Sequence, residues 1–106
     1  METMRSLFEQ FKSHFETYGI AWGSSVGQVD VNDQPRLGQY LDFSVNKIPF
    51  CIVFDEKGGS IYGVHLYTGN ECTCILRFSE KETFKVSFQP RIIKIFTHSC
   101  SLVIQW

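Results

Sequence analysis

A chain of 106 residues with 43% hydrophobic and 20% charged residues holds one domain, too apolar to stay disordered and long enough for a single core. Its net charge of −1 lacks the basic excess with which nucleic-acid binders replace phosphate counterions. No segment approaches the ~20 apolar residues that span a bilayer, and residues 1–15 lack the uninterrupted apolar run of a signal peptide. A cytoplasmic protein is therefore expected, with Cys51, Cys72, Cys74 and Cys100 as reduced, metal-free thiols.

Residues 4–18 form the clearest helix. Met4, Leu7, Phe8, Phe11, Phe15 and Tyr18 recur at spacings of three and four, which makes one apolar stripe. Ser6 with Glu9 makes a capping-box pattern, Thr3 is an alternative cap, and Gly19 is a natural stop. The stripe lacks the basic polar face of a membrane-surface helix, so it is expected to pack on a sheet.

Gly23-Ser24-Ser25-Val26-Gly27 reads as a flexible connection, because a phosphate loop needs a lysine and a following helix. A first strand is expected at Val26–Val31. Asn32-Asp33-Gln34-Pro35 reads as a turn, since Asn and Asp bond their own backbone and proline fixes φ. The run Asp30-Val31-Asn32-Asp33 lacks the glycine and distal glutamate of a calcium loop. Tyr40–Val45 alternates, with Leu41, Phe43 and Val45 on one face, and Asn46-Lys47 turns the chain.

Pro49–Phe78 reads as three antiparallel strands joined at Lys57-Gly58-Gly59-Ser60 and Thr68-Gly69-Asn70-Glu71. Gly-Asn suits the centre of a two-residue hairpin loop. That loop sets Tyr67 opposite Cys72, His65 opposite Cys74, Gly63 opposite Leu76 and Ile61 opposite Phe78. The other face carries Tyr62, Val64, Leu66, Ile75 and Arg77. Apolar residues on both faces imply a sheet covered twice, once by the helix.

Ser79-Glu80-Lys81-Glu82 is a charged turn, Thr83–Gln89 an alternating strand, and Pro90 a bend or an edge. Arg91–Thr97 and Leu102–Trp106 complete the strands. The expected fold is α+β: one N-terminal helix packed on a meander of about eight short antiparallel strands, which curls around the helix or closes into a barrel.

Three constellations can carry chemistry. His65 with Cys72 and Cys74 makes a thiol–imidazole pair, and His98 with Cys100 is a distant complement. The spacing Cys72-x-Cys74 is not that of a zinc knuckle, so no metal or other cofactor is expected. The carboxylates Asp42, Asp55, Glu56, Glu71, Glu80 and Glu82 form no pair at catalytic spacing. Arg77, Lys85, Arg91 and Lys94, with Tyr62, offer an alternative single-stranded nucleic-acid surface.

The excess of apolar residues on the central hairpin points instead to a protein interface at Tyr62, Val64, Leu66 and Ile75. The shape is that of stoichiometric binders: immunity proteins, phage inhibitors of host defence, secretion chaperones. The expectation is a non-enzymatic protein that occludes a partner protein, with a homodimer as the default assembly.

Overall fold

Helix α1 (Leu7–Thr17) begins where the capping pattern places it. In the computed structural model, which describes residues 6–31, 34–55, 61–68, 71–77, 85–97 and 101–106, Ser6 Oγ accepts from the Glu9 amide at 3.3 Å. At the other end Gly19 takes φ 82°, and the Ile20 amide bonds the Phe15 carbonyl at 2.8 Å. A residue without Cβ lets the chain leave the helix here at no steric cost.

Eight strands follow: β1 (Trp22–Val31), β2 (Gln34–Val45), β3 (Ile48–Asp55), β4 (Ile61–Thr68), β5 (Glu71–Arg77), β6 (Lys85–Gln89), β7 (Ile92–Phe96) and β8 (Ser101–Gln105). They form two antiparallel sheets, of order β1-β2-β3-β4-β5 and β6-β7-β8. One helix on an antiparallel meander, the expected α+β class, is thus the fold. The barrel is not: among the described residues no ladder joins the two sheets, and β1 and β5 remain the edges of the first.

The helix lies between the sheets, and its phenylalanines explain why. Phe11 is fully buried, with its ring centroid 5.5 Å from that of Phe54 in β3 and 5.2 Å from that of Phe88 in β6. Phe8 packs on Phe54, and Phe15 on Phe43 and Trp106. Edge-on contacts of this kind add to the roughly 2–3 kcal/mol from burying each ring. Leu41, Phe43, Val45, Ile52, Phe54, Ile61 and Val64 from the first sheet join Ile93, Ile95 and Ile104 from the second in this core.

Local turn chemistry sets two hairpins. Asn46 and Lys47 both take positive φ, 51° and 69°, the pair of values a primed two-residue turn needs between β2 and β3. Between β6 and β7 the two-residue loop is of another kind: Pro90 holds its fixed negative φ and only Arg91 is positive, at 60°.

Two expectations are corrected. Gly23-Ser24-Ser25 is not a flexible connection: β1 starts at Trp22 and runs ten residues, each paired with β2. A neighbouring strand holds what local propensity does not, and Tyr40 shields the stretch by donating its hydroxyl to the Gln28 carbonyl at 2.7 Å. The β4–β5 register agrees with expectation at Tyr67–Cys72 and His65–Cys74, then breaks. A bulge leaves Ile75 unpaired, so Val64 faces Leu76 and Gly63 faces Arg77. A second irregularity, in the β3–β4 ladder, leaves Tyr62 between the pairs Phe54–Ile61 and Val53–Gly63.

The turn residues Gly69 and Asn70, the Lys57–Ser60 turn, Asn32-Asp33, Met4, Phe78, the residues 79–84, His98 and Cys100 lie outside the described residues. Among the described residues, no helix is long and apolar enough to cross a membrane.

Candidate functional site

The helix and second sheet cover one face of the first sheet. On its other face, pairing aligns Gly23, Asp42, Cys51, His65 and Cys74 in one transverse row through all five strands. The next row is Ser25, Tyr40, Val53 and Gly63. Side chains opposed in an antiparallel ladder share a face, so this row brings an acid, a thiol and an imidazole to adjacent positions.

Cys51 and Val53 are buried here although no described element lies over them; Tyr40, His65 and Tyr67 flank them, half-buried. Burial pushes the Cys51 thiol from its ordinary 9.0 up to about 12, and the negative charge of Asp42 acts in the same direction. The Tyr67 hydroxyl, a hydrogen-bond partner of Cys51, is itself raised by burial first and by Cys51 second. Both groups therefore carry their protons at neutral pH.

Cys72, on edge strand β5, is exposed, and its Sγ lies 3.6 Å from His65 Nδ1. The sequence-derived thiol–imidazole pair is thus assembled, for Cys72. Cys74 is the register partner of His65. Cys51 and Cys72 are free thiols, and among the described residues no group of three His, Cys, Asp or Glu is placed to hold a metal ion. A cleft of about 530 Å³ opens at the Tyr67 end of this face, where Asp42, Ser44, Pro49 and Tyr67 meet Ile20 and Trp22.

The other sequence-derived positions are dispersed. Val64 is fully buried in the core, so a partner docking on the folded chain does not reach it. Leu66 is half-buried and pairs with Phe50 on the helix side; Tyr62 is half-buried, and Ile75 is 39% exposed. Tyr62 and Ile75 are the bulged residues, re-aimed by one position each. Lys85 and Lys94 share the outer face of the second sheet through the pairs Lys85–Phe96 and Ser87–Lys94, whereas Arg77 belongs to the first sheet. Arg91 is exposed in the β6–β7 turn.

Asp42 and Cys51 complete the row around His65, which Tyr67 flanks; that Asp42 and Cys51 join it is a role that strand alternation alone does not reveal. The missing signal is long-range: Cys51 meets His65 only through the β3–β4 register.

Among the described residues, the fold and site define a small α+β protein with one helix held between two open antiparallel sheets and, on the first sheet's other face, tyrosines, a histidine and a thiol. Compared with known proteins, the chain matches no family model, no curated protein and no solved structure.

Proposed function

We propose that this is a small non-enzymatic binding protein of the cytoplasm that occludes a partner protein, in the manner of an immunity protein or a phage-encoded inhibitor of host defence. The carrying observation is the face of the first sheet over which no described element lies. Tyr40, Tyr67 and His65 surround the buried pair Cys51 and Val53, across a surface rigidified by five paired strands. Tyrosine is enriched at interfaces because it brings a large apolar area with a polar tip and few rotatable bonds. Tyr62 and Ile75, the bulged residues, extend this reading toward β5; Leu66 and Val64 lie on the helix side and support the interface only from beneath.

The test is affinity capture from the native host, comparing the parent with Tyr67→Ala and with Val103→Ser, an exposed position on the second sheet. A partner retained by Val103→Ser and weakened by Tyr67→Ala by about 2 kcal/mol, the scale of an interface hot spot, supports the reading. A partner equally retained by both variants, or none, removes it.

One observation favours a second reading, in which the chain is a small enzyme using the thiol–imidazole pair. Cys72 Sγ and His65 Nδ1 are within hydrogen-bond reach, and a base beside an exposed thiol favours nucleophilic attack. Alkylation rates distinguish it: a His65→Gln variant should slow Cys72 alkylation at least about tenfold at neutral pH if the imidazole takes the proton. Equal rates in parent and variant leave Cys72 an ordinary surface thiol. The nucleic-acid reading has less support, since its basic positions are divided between two sheets.

A further inference from the structure

The four sheet edges are not alike. Edge β5 carries a bulge at Ile75 and charged ends, Glu71 and Arg77. Edge β6 has five residues, begins at Lys85 and is followed by Pro90. Edge β8 also has five residues. These are the devices by which proteins keep edge strands from pairing with other chains. Edge β1 has none of them. It is ten residues long, pairs with β2 without a register break, and contains no Lys, Arg or Pro; its one charge is Asp30. Among the described residues no strand pairs with its outer side. Val26, at its middle, is 65% exposed.

We propose that β1 is a self-association edge, where a second copy adds its own β1 antiparallel to make one continuous ten-stranded sheet. A row of backbone N–H and C=O groups selects another extended strand as its occupant. Two observations select this chain's own β1. A two-fold axis at Val26 sets Val26 against Val26 of the second copy and covers both exposed β-branched side chains. The same register puts Gly23, Ser25 and Gly27 along the opposite face, where small residues let two backbones approach.

Sedimentation velocity of the parent, Val26→Lys and Val26→Cys tests this. The parent sediments as a dimer at micromolar concentration. Val26→Lys faces two ammonium groups across the axis, where directly opposed like charges destabilise pairing, and sediments as a monomer with an unchanged circular dichroism spectrum. Under mild oxidation Val26→Cys forms a covalent dimer whose cross-link maps by mass spectrometry to position 26 in both copies. A monomeric parent at high concentration overturns the proposal, as does a Val26→Lys variant that dimerises like the parent. If Val26→Lys fails to fold, the Val26→Cys cross-link decides: a link between 26 and 26 upholds the register, and its absence in a folded variant refutes it.

Discussion

The indole Nε1 of Trp106 donates to the carbonyl of Tyr18 at 2.9 Å and so ties the last residue of the chain to the end of its only helix among the described residues. Carbonyls at a helix end have no partner within the helix, so an outside donor there has a defined value. The same residue donates its backbone amide to the Arg91 carbonyl at 3.1 Å, and its ring packs 5.8 Å from that of Phe15. Helix and β6–β7 turn thus meet at one residue, Trp106.

Replacing Trp106 by Phe keeps an aromatic ring and removes the donor. The expected cost is about 1–2 kcal/mol, one hydrogen bond plus some lost contact area. Urea denaturation measures it. An unchanged midpoint would mean that water serves the Tyr18 carbonyl equally well.

Phe11→Ala should be more severe. The ring is fully buried and touches Phe15, Phe54 and Phe88, so its loss opens a cavity between both sheets. About 3–5 kcal/mol is expected, the range for a core phenylalanine, and for a domain of this size that threatens folding at ambient temperature. Thermal melts of the parent and of a milder Phe11→Leu variant bracket the effect; identical melts for all three would remove the helix from the core.

The features legible in sequence are those that short stretches decide alone. Ser6 caps because Glu9 is three residues on; Asn46 and Lys47 turn because the flanking strands alternate around them. The Tyr67–Cys72 and His65–Cys74 pairs follow from a two-residue loop, which is why the Cys72–His65 contact was foreseeable. Past His65 the same strand pair slips at the bulge that leaves Ile75 unpaired, a shift the loop does not encode. The error over Val64 has this origin: alternation shows that Val64 and His65 face opposite ways, but not which of them lies under the helix. The row Asp42–Cys51–His65 was hidden for a related reason. It crosses two hairpins, and a segment rich in glycine, Lys57–Ser60, separates two of its members without fixing their register. The division into two sheets was likewise hidden, since the contacts of Phe11 with Phe54 and Phe88 join residues far apart in the chain.

His14 offers a prediction of the opposite sign. Its imidazole packs against Tyr18, Phe88 and Trp106 with centroids 4.8, 5.2 and 5.9 Å away, and its Nε2 is buried without a hydrogen-bond partner. A buried polar atom left unsatisfied costs about 1–3 kcal/mol. Phenylalanine has similar shape, and the half-buried site gives its slightly larger ring room to expand. His14→Phe should therefore stabilise the fold by about 1 kcal/mol, read as a higher urea midpoint. A lower midpoint would show that overpacking outweighs the orphan nitrogen.

The alkaline limb of stability should report Cys51. Its thiol has a folded value of about 12 against an ordinary 9.0, because burial and the charge of Asp42 oppose the thiolate. The unfolded chain therefore releases this proton first as pH rises. Between those two values the unfolded state binds fewer protons than the native state, so stability falls with increasing pH; below about 9 the contribution is fully present. Tyr67, raised in the same direction by burial and by Cys51, steepens the loss at the upper end. Removing the thiol with Cys51→Ala costs packing at every pH, but it should flatten the decline. The readout is the difference in urea midpoint between about pH 8 and about pH 11, compared for parent and variant so that titrating surface groups cancel. A smaller difference in Cys51→Ala is expected. An equal one would mean that the native structure admits the Cys51 thiolate as readily as the unfolded chain does, contrary to its burial.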